Sequence, residues 1–309
     1  MLKIGGSFLL KNDKPDVSSL REMAQCVKEV LKLPGGERRV VVVVGGGVSA
    51  RNYIGAADAL GANKGLQDHL GVLVSRLNAR VFIEALAEAG VDAWPEVPES
   101  LQDVRASLAV KRVVVLGGLQ PGQSTTAVAA LCGEYCRDAK RIIFSTNVDG
   151  VYTADPTKNK SARKLVKVSY DRLRELCCGS DNTLPGQYRI MDNVALTVLE
   201  RTRRLEAVVL EGKKDEIIAA ITRDLSKVDK NSRDCGTTIC AETLEQAPVD
   251  ASAAASSVAC KCKCGASCAC GPNCKCPPLD APTASAVKKC KCKCGDSCAC
   301  GDNCKCAPL

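Results

Sequence analysis

The chain predicts a three-layer α/β/α sandwich with a mainly parallel sheet, and three observations carry that expectation. Strand and helix signals alternate through about the first 240 residues, the pattern of βαβ units. Five consecutive valines, Val40 to Val44, form a run with no polar position, as in a strand covered on both faces. Glycine-bearing turns follow three of the strand candidates, where an open parallel sheet gathers its ligand-binding loops.

The elements follow in order. Ile4 closes a first strand and feeds Gly5-Gly6-Ser7, and Ser18 to Leu33 has helical spacing. Val40 to Val44 ends in Gly45-Gly46-Gly47. Leu66 to Gly90 reads as a helix, then Arg112 to Leu116 as a strand leading into Gly117-Gly118. Gln123 to Arg137 is the next helix candidate, Arg141 to Phe144 the next strand, Asp192 to Arg203 a helix, and Ala207 to Leu210 a strand. Right-handed crossovers join such units. Residues 1–240 are therefore expected to form one domain, at a size suited to a single α/β sheet.

Composition narrows the function. The 309 residues carry a net charge of +8, yet the last 50 hold eight lysines against three acids, interleaved with cysteines and no aromatic residue. Bases would have nothing to stack on, so a nucleic-acid role is not expected. No segment supplies the roughly 18 apolar residues that span a bilayer, and Met1-Leu2-Lys3-Ile4 starts in a strand pattern without a signal-peptide layout. A cytoplasmic protein follows, and its reducing surroundings suit closely spaced thiols.

The richest stretch is Thr146-Asn147-Val148-Asp149-Gly150-Val151-Tyr152-Thr153-Ala154-Asp155-Pro156, directly after a strand. Asn, Asp and Gly allow a sharp turn, Tyr152 offers a flat face for a purine, and Asp155 before Pro156 is steered toward extended backbone. Together with three glycine loops it suggests a site for an extended phosphate chain, although neither a P-loop nor a Gly-x-Gly-x-x-Gly fingerprint is present.

These segments, in this order and spacing, resemble the amino acid kinase family, and within it the archaeal-type uridylate (UMP) kinases. The likeness rests on Lys3 to Ser7, Val41 to Ile54 with its Gly-Gly-Gly-x-x-x-Arg, Gln67-Asp68, Gly117-Gly118, Pro121-Gly122, Thr146 to Pro156 and the closing Gly236-Thr237-Thr238-Ile239. The resemblance implies ATP and UMP as substrates, Mg²⁺ as cofactor, and a homo-oligomer, a hexamer. It also implies that Gly6, Ser7, Gly47 and Arg51 contact the ATP phosphates, with Thr146, Asn147, Tyr152 and Asp155 on the adenosine side. Gly46, Asp68, Leu119, Gln120, Pro121, Gly122, Gln123, Ser124 and Thr125 would hold UMP. Phosphoryl transfer needs positioning and charge neutralisation, and Lys3 and Arg51 are the candidate cations. Each has a plainer alternative: a solvated lysine, an arginine in a surface ion pair, and for Asp68 a helix cap. Lone His69 reads as a partly exposed side chain.

One position departs from the pattern. Where the family reads Thr-Thr-Asp, this chain has Ser124-Thr125-Thr126, so a neutral hydroxyl replaces an acid that organises the transferring phosphate. Thr126 is thus a catalytic-position residue with altered chemistry, and binding is expected to survive better than turnover.

Residues 241–259 turn to Ala, Ser, Pro and acids and read as a linker. Beyond it, 260–276 recurs as 290–306, separated by a second linker, 277–289. The copies place cysteines at Cys260, Cys262, Cys264, Cys268, Cys270, Cys274 and Cys276, and at Cys290, Cys292, Cys294, Cys298, Cys300, Cys304 and Cys306; only Ala266/Asp296 and Pro272/Asp302 differ. Fourteen of the 21 cysteines sit here, at a spacing that resembles metallothioneins. Two tetrahedral Zn²⁺ ions sharing a thiolate would use about seven sulfurs per copy, and Cu⁺ suits soft thiolates equally well. Soft metal ions are therefore expected partners, and the modules are expected to fold only with metal. Two rivals to the UMP kinase reading stay open: a metal-storage or metal-sensing protein whose kinase-like domain only binds nucleotide or assembles the oligomer, and another small-molecule kinase of the same fold.

Overall fold

β-Branched strands alternate with helices throughout the computed structural model, which describes residues 1–11, 13–156, 159–178, 191–224, 236–240 and 244–245. In chain order the elements are β1 (Leu2–Ile4), β2 (Leu10–Lys11), β3 (Lys14–Pro15), α1 (Val17–Lys32), β4 (Val40–Val44), α2 (Gly47–Ala59), α3 (Lys64–Glu88), α4 (Leu101–Val110) and β5 (Val113–Leu116). There follow α5 (Thr125–Tyr135), β6 (Arg141–Thr146), β7 (Leu165–Ser169), α6 (Tyr170–Cys178), α7 (Asn193–Arg201), β8 (Glu206–Glu211), α8 (Lys214–Thr222), β9 (Thr237–Cys240) and β10 (Leu244–Glu245). Five helix starts are fixed by side chains that accept a backbone N–H: Asp16, Asn63, Ser100, Ser124 and Asp192.

The main sheet has the order β10-β7-β9-β8-β6-β1-β4-β5. From β8 to β5 every neighbouring pair is parallel, whereas β9 runs antiparallel to β8 and β10 antiparallel to β7. The expected α/β fold with a mostly parallel sheet is what forms. Strand alternation divides the apolar residues between two layers. Val42 and Val44 join Leu2, Ile4, Val115 and Val208 beneath Val27 of α1, Phe82 of α3 and Ile217 of α8. Val41 and Val43 join Leu116, Phe144 and Val209 beneath Val104 of α4, Val128 of α5, Leu173 of α6 and Leu196 of α7. All five valines of β4 are buried, which explains why its sequence has no polar face.

The strands and helices expected from sequence form within a few residues of their expected ends. Helices α2, α4, α6 and α8 and strands β2, β3 and β7 are additional. The sheet also continues past residue 240, because Leu244 pairs with Lys167 on the edge strand β7. One compact unit spans Met1–Ala247. The cysteine repeat, and the 14 expected metal ligands in it, lie outside the described residues. Among the described residues no helix is long and apolar enough to cross a membrane.

Candidate active site

Parallel alignment brings the C-terminal ends of β1, β4, β5, β6 and β8 to one edge of the sheet, and the glycine loops meet there. The closest approach joins the first two. A Cβ on Gly6 would lie 2.2 Å from the Gly47 nitrogen and 2.6 Å from the Gly45 oxygen, so only a residue without a side chain lets these backbones touch. Gly47 itself adopts φ +65, turning the chain from β4 into α2. Helix α2 starts with no side-chain cap, so its first amides point at the cradle unpaired by any side chain. Arg51 lies one turn further along α2, exposed and without a hydrogen-bond or ionic partner among the described residues. Ser7 is exposed in the turn of 3₁₀ helix that follows β1.

Lys3 is set by strand alternation. Leu2 and Ile4 enter the layer of α1 and α3, so Lys3 enters the other, between Val43 of β4 and Phe144 of β6. Burial lowers its ammonium to about 8, and no charge among the described residues offsets the effect. Thr126, buried as the second residue of α5, occupies the helix that packs across β1, β4 and β6 on that same side. The carboxylate expected from the resemblance is absent from a position facing a desolvated lysine's layer.

The third glycine loop is clasped by α3. Gly117 approaches so closely that a Cβ there would lie 2.5 Å from the Arg76 nitrogen. Ser75 Oγ accepts the Gly118 N–H at 2.7 Å, and the Arg76 guanidinium donates to the carbonyls of Gly118 (3.0 Å) and Leu119 (2.9 Å). Asp68 Oδ2 accepts the Gly122 N–H at 2.9 Å. Asn78, buried on the same helix, donates to the carbonyls of Gly45 (2.9 Å) and Gly46 (3.3 Å). One helix therefore holds both the Gly45–Gly47 loop and the 117–122 loop. Gln120 and Pro121 lie in the intervening turn, which is exposed around Pro121 and Gly122. Gln123 has a buried Oε1 with no partner. Ser124 is already engaged: its hydroxyl caps Ala127 N–H at 3.0 Å and donates to Asp192, which leaves Thr125 as the less committed hydroxyl.

On the far side of β6, the 146–156 loop is pinned at several points. Thr146 Oγ1 donates to the Val148 carbonyl at 2.9 Å, and Asn147 is exposed. Tyr152 donates its hydroxyl to Asp149 Oδ1 at 2.9 Å and pairs in the backbone with Lys164. Burial and that hydrogen bond push the phenol up to about 12. Burial would raise the Asp149 carboxyl, but hydrogen bonds from Lys164 (3.0 Å) and Tyr152 outweigh it and hold the group below its usual range. Tyr152 is therefore a half-buried, tethered wall rather than a free flat face. Asp155 is half-buried, and its carbonyl accepts the Asn159 N–H at 2.9 Å. Val151 N–H donates to Thr237 Oγ1 of β9 at 2.7 Å.

Residues invisible to motif reading complete the edge. Ser145, fully buried at the end of β6, carries a hydroxyl without a partner, and a Cβ on Gly212 would lie 2.4 Å from it. Ser75, Arg76 and Asn78 fix the loops but lie in a helix interior, where no local signature marks them, whereas Thr237 opens β9 within the closing Gly236-Thr237-Thr238-Ile239 segment. Among the described residues no cluster of three acids, histidines or cysteines could hold a metal ion by itself. The glycine cradle, the uncapped α2 start, an orphaned buried hydroxyl and a desolvated lysine fit a metal-nucleotide phosphate chain better than a bare ion.

The five-strand parallel core with phosphate-sized glycine loops on its C-terminal edge defines a nucleotide-binding-type α/β protein. A profile of the amino acid kinase family matches residues 1–210, and the chain belongs to that family. It is 36% identical over 243 residues to a uridylate kinase of Methanosarcina mazei, covering 78% of this chain and 98% of that one. A uridylate kinase of Hyperthermus butylicus is 41% identical over 202 residues, 65% of this chain and 84% of that protein. The crystal structure of uridylate kinase from Archaeoglobus fulgidus superposes with a TM-score of 0.63 at 33% identity, covering 77% of this chain and 98% of that one.

Proposed function

We propose that the Met1–Ala247 unit transfers the γ-phosphoryl group of ATP to UMP, giving ADP and UDP. The observation that carries the reading is the clasp of α3 on two loops at once, which sets an acceptor loop beside a donor cradle. The names of the similar proteins support the choice of UMP.

In this reading the amides of Gly6 and Gly47, the α2 start and Arg51 bind the triphosphate, and Thr146, Asn147, Tyr152 and Asp155 form the nucleoside wall. Asp68, the amides from Leu119 to Gln123 and the Thr125 hydroxyl hold UMP. Mg²⁺, held on phosphate oxygens, would neutralise charge on the β- and γ-phosphates. A UMP phosphate oxygen attacks the γ-phosphorus; the new P–O bond forms as the bond to the β-bridging oxygen breaks, and ADP leaves with that electron pair. The attacking oxygen is already ionised, so no general base is needed. Lys3⁺ stabilises charge on the transferring group. Thr126 supplies no carboxylate to hold Lys3 protonated, so turnover is slower than with an acid there.

The duplicated cysteine spacing supports a second activity in the same chain, soft-metal binding by residues 260–306. The test is an ADP-release assay on the metal-loaded full chain with UMP, other nucleoside monophosphates and small carboxylic acids, with Thr126→Asp in parallel. UMP-dependent ADP release, raised in the variant, supports the kinase. Stoichiometric nucleotide and metal binding without turnover for any acceptor in either protein would replace it with metal storage or sensing.

A further inference from the structure

A second basic concavity lies at the opposite edge of the sheet. A cavity of about 1080 Å³ opens at the N-terminal ends of β1, β4 and β6, with Leu2, Val41 and Ile143 among its apolar lining and Tyr135 at its wall. At about 3.3 Å per strand residue, the sheet separates it from the glycine loops by on the order of 15 Å. Arg39, Arg105, Arg137 and Lys140 converge on it from four separate places: the segment before β4, helix α4 and two points of the α5–β6 connection.

These four cations are exposed and make no hydrogen bond or ion pair among the described residues. Their neighbours are committed elsewhere. Arg141 is held by Glu206 and the Ala220 and Ile221 carbonyls, and Arg38 by the Leu33 and Pro34 carbonyls. Of the three acids on the lining, Glu206 faces Arg141 and Glu37 lies 3.6 Å from Arg112, which leaves Asp138 alone against the four. Like charges gathered around a low-dielectric concave wall repel one another and focus a positive potential into the cavity. A structural role would have paired them, as it does Arg141. The size, just above the usual range of about 300–1,000 Å³, accommodates a small ligand.

We propose that this cavity binds a compact polyphosphate-bearing anion, at a site distinct from the glycine loops. Several phosphate oxygens would satisfy cations that arrive from different elements, which a single carboxylate cannot span. The apolar lining and Tyr135 leave room for a nucleoside, so the anion could be inorganic triphosphate or a nucleoside triphosphate.

The test is calorimetric titration of the full chain with inorganic triphosphate, and separately with ATP, GTP and UTP, in wild type and in the variant carrying Arg39→Gln, Arg105→Gln, Arg137→Gln and Lys140→Gln. Binding at the glycine loops is common to both proteins, because none of the four residues lies there. The expected result is an additional equivalent of triphosphate in wild type, weakened at least about tenfold in the variant, a change of about 1.4 kcal/mol. Raising salt from 50 to 300 mM should weaken the same equivalent by screening. A nucleotide that binds this site tighter than inorganic triphosphate identifies the base as part of the ligand; equal affinity identifies the phosphate chain alone. Single Arg105→Gln and Lys140→Gln variants, with circular dichroism as the folding control, should each lose part of the affinity. Superimposable isotherms for wild type and the fourfold variant overturn the proposal.

Discussion

Thr237 joins two parts of the chain that sequence leaves 86 positions apart: its Oγ1 accepts the Val151 N–H at 2.7 Å and donates to the Leu165 carbonyl at 2.5 Å. The hydroxyl is buried, so neither group has water as an alternative. Thr237→Val keeps the shape and removes both bonds. Unfolding in urea should show a loss of about 1–3 kcal/mol, with Thr237→Ser retaining most of the stability. ATP affinity should fall as well, because the 146–156 loop loses its tie to β9. An unchanged urea midpoint for Thr237→Val would show that the loop is held by other contacts.

The Gly6–Gly47 contact makes a sharper demand. Gly6→Ala would place a methyl carbon where backbone atoms of Gly45 and Gly47 now sit, so the two loops must part. ATP binding, measured by equilibrium dialysis, should drop at least about tenfold. Gly55→Ala on α2 is the control, since nothing lies within 4 Å of its added carbon. That variant should bind ATP normally and gain up to about 1 kcal/mol of stability from helix propensity.

Lys3 links acidity to turnover. Its folded-state value of about 8 lies below the ordinary 10.5, so between these pH values the unfolded chain binds the extra proton. The Lys3 contribution to stability therefore rises with pH across that window. The cationic role proposed for it runs the other way and is lost as pH passes about 8. The kcat/KM for phosphoryl transfer should fall on the alkaline side near that pH, and Thr126→Asp should move the falling limb upward. Coincident profiles for the two proteins would remove Thr126 from any coupling to Lys3.

In the proposed reaction, Asp68 distinguishes the acceptor from the donor. Asp68→Asn retains an oxygen that can accept the Gly122 N–H but removes the charge, whereas Asp68→Ala removes both. The alanine variant should raise KM for UMP by on the order of tenfold while leaving ATP affinity within about twofold, and asparagine should fall between. Equal losses for ATP and UMP would mean that the residue supports α3 as a whole.

The layers of this fold were legible because burial on two faces forces uninterrupted apolar strands, as in Val40 to Val44, and because glycine marks the loops. Helix α2 was not, since Gly47 to Ala59 opens on a glycine, has Gly55 inside it and buries only Ala50, so no apolar stripe announces it. The site divides the same way. Gly6, Gly47 and Asp68 stand in recognisable loops, while Ser75, Arg76 and Asn78 are polar positions inside a helix that could equally face water. Tyr152 is recognisable in the sequence as a flat face for a purine, but its tether to Asp149 depends on a loop conformation that distant residues, Lys164 and Thr237 among them, complete.

Asp68 and Asn78 stand ten residues apart on α3, one gripping the 117–122 loop and the other the Gly45–Gly47 loop. At about 1.5 Å per residue the helix sets roughly 15 Å between the two grips, and it does so as a single stiff rod. The spacing of these two grips is thus a length written in helical turns. A single inserted residue between Asp68 and Ser75 would lengthen it only slightly, yet it would swing Asp68 about 100° around the axis and away from Gly122, while Ser75 and Arg76 keep their hold on Gly118 and Leu119. Chain length in this segment is fixed by phase, as the composition of the loops it grips is fixed at Gly47 and Gly117 by close approach.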